Sequence, residues 1–397
     1  MKNNFVFLVT TAAMVLLLGI SLCHAEVKVQ CPEDLDGDGV RDIDLAGISC
    51  MHLAAGDGFV TMADGRSMYM FGFGDVTDVP IDKVMDVGML GAEFPAPLIV
   101  VDEGDDFYLT LTNVGMMMRP DLFDPHTVHW HGFPNAASVF DGVPDASIAI
   151  NMGASLTYFY HVAVPGTYMY HCHVEATEHM QMGMLGNLYV RPAQNNLPDG
   201  TRLGDFVHHT GYRYGYNDGD GSTYYDKDFA IQIASFDPNF HDANLNIQPL
   251  PFADMEDKYP MLNGRGYPDT IKTEPIANQV NGKFSQKENA LVRCKKGEKI
   301  LIRLSNLNVT RYYTLSIPQI PMQVIAKDAK LLQNSEGTNF YYTTNSVTLG
   351  GGESIDFLLD TSKVPAGTYV MYATQLQYLN NNQEEYGGMM SEIIIEP

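Results

Sequence analysis

The chain has 397 residues and a formal net charge of −24 at pH 7, and 45% of its residues are hydrophobic. This length and apolar content suffice for two domains of ordinary size. The acidic balance argues against nucleic acid and anionic membranes as partners, because both repel negative charge. Cations, metal ions and a basic redox partner remain compatible with it, and charge alone does not choose among them.

The N-terminus predicts a secretory signal peptide over residues 1–25. Lys2 gives a basic start, residues 5–22 are mostly apolar, and Cys23, His24 and Ala25 fit a small-residue cleavage site. No later stretch approaches the roughly 18 consecutive apolar residues that a membrane span needs. The sequence therefore predicts an exported protein, periplasmic or extracellular, without a membrane span.

The cysteines that follow have different predicted roles. In an oxidising compartment, Cys31 and Cys50 can close a small disulfide loop. Cys172 lies between two histidines and is more typical of a metal ligand, whereas Cys294 lies in an apparent strand and is predicted to be a small buried residue.

Residues 26–50 contain an acidic run with carboxylates at alternate positions and glycines at the turn. Such a pattern can wrap a hard cation with oxygen ligands. Because Leu45 replaces the usual final glutamate of an EF-hand, the run resembles a dockerin-like or thrombospondin-repeat-like calcium loop. It predicts a structural calcium site, with an acidic surface turn as the alternative. The predicted ligands are Asp34, Asp36, Asp38, Val40 and Asp42.

The rest of the chain predicts an all-β protein. From Phe59 onward, short apolar or alternating runs are separated by Gly, Pro, Asp and Asn, and long helical periodicity is scarce. A segment rich in Pro, Asn and Gly at 194–204 is the predicted linker between a first domain at 51–193 and a second at 205–397.

An internal repeat supports this division. Residues 103–113 match 296–306, and residues 164–168 match 364–369. Two homologous β-sandwich domains are the simplest interpretation.

Six histidines and one cysteine form two short runs in the first half of the chain. The first run holds His126, His129 and His131; the second holds His171, Cys172 and His173, followed by His179 and Met184. Alternate side chains of a strand share a face, so Cys172 is expected to point away from its two histidine neighbours. One strand can thus serve two metal sites.

The predicted inward site combines Cys172, His179 and Met184 with a histidine of the first run, for which His126 is the favoured candidate. A thiolate, two imidazoles and a weak thioether are the ligand set of a blue copper centre. Ordinary core residues are the alternative, which the phased clustering of these residue types makes remote.

The two runs resemble the multicopper oxidase family, which includes laccases, cuprous oxidases and, more distantly, copper nitrite reductases. Segments 141–144, 263–265 and 321–325 add to the resemblance, which extends from about Gly58 to the end of the chain. It implies two cupredoxin-like Greek-key β-sandwich domains and makes a homotrimer an expectation. It also implies copper as the cofactor, with type 1 ligands His126, Cys172, His179 and Met184, and type 2 and type 3 ligands His129, His131, His171 and His173.

By this resemblance, the protein is expected to be a secreted copper oxidoreductase. Its type 1 centre, through Cys172, His179 and His126, would take single electrons from a small reductant such as a phenol or cuprous ion. Oxygen is the expected acceptor at the second group of histidines. A small reductant or a redox protein is the expected partner.

The chain also departs from the family pattern. Six residues separate Cys172 from His179, two more than in typical laccases, and no histidine follows His241. A trinuclear copper cluster needs eight histidines, usually four from each of two domains, and the repeat places Tyr372 and Thr374 opposite His171 and His173. The adjacent His208 and His209 cannot replace a His-x-His pair on a strand, because they would face opposite ways.

These departures keep two alternatives open. The first is an electron-transfer or copper-binding protein without a complete trinuclear cluster. The second, less favoured, is a nitrite reductase, for which the second domain offers no third ligand to the type 2 copper.

Overall fold

A computed structural model describes residues 27–397, so the predicted signal peptide lies outside the described residues. Strands dominate, which confirms the all-β prediction. The three helices of this part of the chain are short: α1 (Val84–Gly88), α2 (Ala176–Met182) and α3 (Pro238–Leu245). None of them has the length and apolar content that crossing a bilayer requires.

The first half forms a sandwich of two four-stranded sheets, ordered β2-β1-β4-β6 and β3-β8-β7-β5. The pairs β1–β4 and β3–β8 are parallel and the others antiparallel, so the chain crosses repeatedly between the two layers. The strands are β1 (Ile48–Thr61), β2 (Ser67–Asp75), β3 (Ala96–Asp102), β4 (Asp106–Gly115), β5 (His129–His131), β6 (Ser155–His161), β7 (Gly166–His171) and β8 (Leu185–Arg191).

The core of this sandwich is rich in aromatic rings. Trp130 of β5 stacks on Tyr160 of β6, with ring centroids 4.0 Å apart, and Phe133 packs edge-on against Trp130. Cys172 and Met184 belong to the same buried cluster. The predicted copper ligands therefore extend a packed core, which fixes their backbone.

The first strand begins earlier than the sequence suggests. β1 runs from Ile48 rather than from Phe59, because Gly56 and Gly58 continue the strand where their spacing resembles a turn. A side chain at Gly56 would meet Val114, and one at Gly58 would meet Ala92, at 2.7 and 3.1 Å from the added carbon. Glycine here permits the close approach of the neighbouring strand β4 and of the segment before β3.

The second half forms a larger sandwich of a seven-stranded and a five-stranded sheet. Their orders are β14-β13-β18-β24-β20-β21, with β22 also paired to β20, and β17-β28-β25-β19-β23. The strands are β13 (Lys227–Phe236), β14 (Tyr259–Leu262), β17 (Val292–Lys295), β18 (Lys299–Asn306), β19 (Tyr313–Ser316), β20 (Met322–Lys327), β21 (Lys330–Leu331), β22 (Tyr342–Thr344), β23 (Ser346–Leu349), β24 (Glu353–Asp360), β25 (Gly367–Ala373) and β28 (Met390–Glu396).

Short strand pairs decorate both sandwiches. They are β9 (Arg202–Leu203) with β10 (Phe206–Val207), β11 (Arg213–Tyr214) with β12 (Tyr224–Tyr225), β15 (Ile276–Ala277) with β16 (Phe284–Gln286), and β26 (Asn380–Asn381) with β27 (Glu384–Glu385). The predicted linker at 194–204 overlaps a 3-10 turn (Ala193–Asn196) and β9. The predicted domain boundaries stay predictions.

The N-terminal segment is tied to the first sandwich in two ways. Cys31 and Cys50 form a disulfide, which confirms that pairing. The Arg41 guanidinium donates to both carboxylate oxygens of Asp78, beyond the end of β2.

A buried arginine joins the two sandwiches. The Arg303 side chain on β18 is fully buried and stacks on the ring of Tyr189 on β8, 4.4 Å from its centroid. Its guanidinium contacts the Asp228 carboxylate at 3.2 Å and the Thr167 hydroxyl at 3.3 Å. Burial raises the pKa of the nearby Asp356 carboxyl, an effect that the positive charge of Arg303 opposes.

Replacing this arginine tests its role in joining the domains. Arg303→Ala leaves the buried Asp356 carboxyl group and the partly buried Asp228 carboxylate without their cation, so we expect the free energy of unfolding to fall by about 3–5 kcal/mol. Urea denaturation followed by fluorescence measures this loss. The control is Arg293→Ala, which removes an exposed ion pair with Glu396 and should cost under about 1 kcal/mol. Equal losses in the two variants would contradict the assignment.

Candidate copper sites

Strands β5 and β7 bring the two histidine runs together. They pair antiparallel with His129 opposite His171 and His131 opposite Met169. Because side chains alternate along a strand, His129, His131 and His171 reach one face of the sheet. Cys172, directly after β7, is buried in the core on the other side.

The first candidate site is buried around the Cys172 thiol. Its Sγ lies 3.2 Å from His179 Nδ1 and 3.8 Å from His126 Nδ1. Met184, the predicted axial ligand, is fully buried in the same core and is held by two backbone hydrogen bonds: its N–H donates to the His179 carbonyl, and its carbonyl accepts from the Cys172 N–H.

The longer spacing between Cys172 and His179 is taken up by helix α2. The helix begins after Glu175 and ends at Met182, and the N–H of the following residue, Gly183, donates to the carbonyls of His179 and Met180. Gly183 has φ of 117°, and a side chain there would clash with the Phe71 carbonyl at 2.8 Å. The helix and its Gly183 cap return the chain to Met184, whose N–H donates to the His179 carbonyl.

The electrostatics of this site favour a thiolate. Burial opposes ionisation of Cys172, but the charge and hydrogen bonds of the His179 and His126 imidazoles lower the pKa of its thiol well below the usual value. The thiolate and the Asp124 carboxylate in turn raise the pKa of His179 despite its burial. Two imidazole Nδ1 atoms directed at a buried thiolate fit a copper ion, whose positive charge would replace the proton that these groups share.

The imidazole of His179 is covered. It is fully buried, and the nearest acidic group to its Nε2 is the Asp124 carboxylate at 3.9 Å. Helix α3, from the second half of the chain, packs beside α2: the Asn244 amide donates to Glu178 at 2.7 Å, and the Arg119 guanidinium donates to the Asn244 side chain at 3.0 Å. No sequence pattern predicts this contact between α3 and α2.

The second candidate site is a cluster of four imidazoles. Among residues 27–397, His129, His131 and His171 form a group whose ligand atoms all lie within 4.8 Å of one another. The ring of His173 lies beside it, with centroids 5.1 Å from His129 and 5.6 Å from His171.

Hydrogen bonds fix which nitrogens of this cluster are free. His129 Nδ1 donates to the Asp141 carbonyl at 2.6 Å, and His171 Nδ1 donates to the Cys172 carbonyl at 2.9 Å. In their neutral forms, both residues therefore keep an unprotonated Nε2. The Nδ1 atom of His131 lies 3.4 Å from the Nε2 atom of His171. Burial lowers the pKa of all three imidazoles, that of His171 to about 3, so they are neutral and able to bind a metal.

A cavity of about 480 Å³ adjoins this cluster, and the second sandwich forms its opposite wall. That wall consists of the loop after β18 and the turn before β24: Leu307, Asn308, Val309, Thr310, Arg311, Tyr312, Gly351 and Gly352. The wall contains no histidine, cysteine or carboxylate.

The second sandwich repeats the backbone of the first site without its ligands. The N–H of Met389 donates to the Tyr378 carbonyl and its carbonyl accepts from the Ala373 N–H, as Met184 does with His179 and Cys172. Tyr313 takes the place of His126, since it pairs with Leu349 as His126 pairs with Ile150. The rings of Tyr313 and Tyr378 pack 4.7 Å apart.

The pairing of β19 with β25 agrees with the predicted replacement of the cluster histidines in the second sandwich. Ser316 faces Tyr372 where His129 faces His171 in the first sandwich. By the same register, Pro318 occupies the position in the second sandwich that His131 occupies in the first.

The acidic N-terminal loop brings part of its predicted ligand set together. Asp34, Asp36 and Asp42 each place one carboxylate oxygen within 4.8 Å of the others. The Asp38 carboxylate instead accepts the N–H of Val40. Calcium binding here stays a prediction.

The remaining histidines of the described chain have ordinary partners. His52 bonds the Thr112 hydroxyl, His208 bonds Tyr214, and His241 bonds two backbone carbonyls. His161 and His209 are exposed and pair with Asp106 and Asp199.

Comparisons with known proteins agree in both halves of the chain. Residues 75–195 and residues 253–395 each match a family described as multicopper oxidase. The multicopper oxidase MCE of Talaromyces pinophilus is 35% identical over 112 residues, 28% of this chain and 17% of that protein. The multicopper oxidase MmcO of Mycobacterium tuberculosis is 38% identical over 84 residues, 21% of this chain and 15% of that protein. The matched segments thus span less than a fifth of either relative.

Solved structures share the fold over most of the chain. The blue copper oxidase from Nitrosomonas europaea aligns with a TM-score of 0.62 and 24% identity, covering 88% of this chain and 86% of that one. The copper nitrite reductase from Nitrosomonas europaea aligns with a TM-score of 0.55 and 16% identity, covering 88% and 94%. The cupredoxin-like sandwiches are thereby confirmed. With multicopper oxidase matches in both sandwiches, the chain belongs to the multicopper oxidase family.

Proposed function

We propose that this protein is a copper-dependent oxidoreductase that oxidises a small reductant, one electron at a time, at the Cys172 centre. Electrons pass to copper at the cluster of His129, His131, His171 and His173, where oxygen is the acceptor. Copper supplies the one-electron redox chemistry at both places. The observation that carries the proposal is the position of Cys172. Its thiol lies in the buried site with His126 and His179, and the residue before it, His171, belongs to the imidazole cluster.

The path between the two sites is short and continuous. His171 is the next residue to Cys172, and its Nδ1 donates to the Cys172 carbonyl at 2.9 Å. Electrons leaving the thiolate thus have both a covalent route and a hydrogen-bonded route to the His171 imidazole. The same hydrogen bond holds the ring with its Nε2 toward the second site.

The cover over His179 favours a small reductant. No part of the His179 ring is exposed, so a donor approaches it through the Asp124 side, where the carboxylate is partly exposed. A small phenol or a cuprous ion can approach from this side, whereas a bulky donor would need to contact the His179 ring directly. A redox protein as donor is the alternative partner.

Two observations support export, to the periplasm or the cell exterior. The apolar N-terminal stretch at 5–22 fits a signal peptide, and the Cys31–Cys50 disulfide suits an oxidising compartment. A homotrimer remains an expectation from the family.

An electron carrier without turnover is the second candidate function, and it rests on the ligand-free wall opposite the imidazole cluster. Oxygen uptake in the presence of a reductant separates the two functions. The oxidoreductase consumes oxygen catalytically, whereas a carrier exchanges one electron per blue centre with a partner and then stops.

Removing the thiolate tests the assignment of the two sites. Cys172→Ser is expected to abolish the intense blue absorption and reductant oxidation, because the thiolate bond to copper is lost, while copper at the imidazole cluster remains. Absorption spectra and metal analysis measure both effects. Cys294→Ser, at a buried cysteine of the second sandwich, is the control and should keep the blue colour. Loss of blue colour in both variants, or in neither, would contradict the assignment.

Loosening the cover tests the size limit on the reductant. Asn244→Ala removes its side-chain hydrogen bonds with Glu178 and Arg119, so we expect kcat/KM for a bulky phenol to rise by about tenfold to thirtyfold, because two hydrogen bonds worth about 0.7–1 kcal/mol each are lost. The value for cuprous ion should change little. Asn246→Ala, whose exposed amide bonds only the Asp242 carbonyl, is the matched control. An unchanged ratio of the two substrates in Asn244→Ala would oppose a gating role for the cover.

We also propose that the acidic loop binds calcium as a structural ion. One Ca²⁺ per chain is expected by titration calorimetry, and Asp36→Ala should abolish binding because it removes one of three converging carboxylates. Asp44→Ala, an exposed acid outside this group, should bind normally. If both variants bind Ca²⁺ like the parent protein, the loop is an acidic turn.

A further inference from the structure

We propose that the imidazole cluster is a mononuclear copper site, held by His129, His131 and His171 of a single chain, and that this protein contains no trinuclear cluster. The inference rests on the proposed function, since it concerns the copper that receives electrons from the Cys172 centre. Three observations carry it. Three imidazole nitrogens converge, the wall opposite them carries no imidazole, thiolate or carboxylate, and the described histidines outside the two copper sites have partners elsewhere in the protein.

The three nitrogens converge as ligands of one ion do. His131 Nδ1 and His171 Nε2 lie 3.4 Å apart. Two nitrogens bound to one metal at about 2.0 Å in tetrahedral geometry are separated by about this distance. His129 belongs to the same group, with its Nδ1 anchored on the Asp141 carbonyl. His173 stands outside this group although its ring lies beside it.

The wall opposite supplies no ligands for further ions. Gly352 lies against the His131 ring, and a carbon added to it would sit 2.8 Å from His131 Nε2. The neighbouring wall residues offer amide, hydroxyl, guanidinium and phenol groups, from Asn308, Thr310, Arg311 and Tyr312. None of these is an imidazole, thiolate or carboxylate, so the second sandwich closes the cavity without coordinating copper.

A second copy of the chain does not supply the missing imidazoles either. Of the described histidines outside the two sites, His52 and His208 are buried with partners inside their own sandwich. His241 is buried between helix α3 and the first half of the chain, where it bonds the Tyr69 and Gln181 carbonyls. The exposed His161 and His209 are isolated from each other and form no His-x-His pair. The positions that match the histidine strands carry Ser316, Pro318, Tyr372 and Thr374. The residues present therefore do not fit a trinuclear cluster.

Two coppers set the electron count of the reaction. A chain with one copper in each site holds two electrons, taken singly from two molecules of reductant. With two protons from solvent, these convert O₂ into H₂O₂, whereas water formation needs four electrons. The product of oxygen reduction is therefore expected to be hydrogen peroxide.

Metal counting on the full-length, copper-loaded protein tests the proposal. We expect two coppers per chain by metal analysis, both detected as Cu(II) by quantitative EPR, and no near-ultraviolet absorption band from a coupled copper pair. Catalase added after oxygen uptake should return half of the oxygen consumed. Four coppers per chain with only two EPR-detected, or no oxygen returned, would overturn the mononuclear site.

Variants identify the ligands independently of activity. His129→Ala and His131→Ala should each lose one copper and keep the blue band, whereas His173→Gln and the control His161→Ala should keep both coppers. Gly352→Val, which presses on His131, should lose the same copper. Loss of copper in His173→Gln would overturn the three-ligand assignment. A protein with no blue band or no reductant oxidation would instead refute the proposed function itself.

Discussion

The two-residue period of strand β7 is the constraint on which the other features depend. Alternation sends His171 to the outside of the first sandwich and Cys172 into its core, although the two residues are neighbours in the chain. A one-residue slip between β5 and β7 would turn the side chains of the slipped strand to the opposite face and break the pairing of His129 with His171. Packing of Trp130 on Tyr160 opposes such a slip, because it would expel a large ring from the core.

The second sandwich acts on the sites as a scaffold rather than as a source of ligands. Its loops form the wall of the imidazole cavity, and its helix α3 covers the thiolate site. Both contacts depend on how the two sandwiches are joined, and Arg303 lies at that junction with Tyr189 and Thr167 of the first sandwich. Solvent access to each site is thus decided by residues distant in sequence from its ligands.

The sequence predicted the parts of the molecule that depend on local pattern. Cys172 and its histidine neighbours were found because strand periodicity and ligand chemistry lie within a few residues, and the repeat revealed the second sandwich. The cover was not found, because α3 has weak amphipathic character and reaches Glu178 only through the tertiary fold. The contact of Gly352 with His131 is not predicted for a similar reason. A glycine in the sequence does not show which residue packs against it in the folded protein. The early start of β1 was obscured by Gly56 and Gly58, which allow the side chains of Val114 and Ala92 to approach the strand closely.

The ligand-free copy of the thiolate site in the second sandwich has a consequence for how the first one works. The hydrogen bonds that join Tyr378, Met389 and Ala373 reproduce those around Met184 with tyrosine rings in place of imidazoles. The shape of this loop is therefore encoded by the sandwich and persists when no residue can bind a metal. A copper held on such a frame would find its ligands at nearly the same positions in both oxidation states, which favours fast electron transfer. The rigidity of this loop thus belongs to the sandwich rather than to the ligands that it carries.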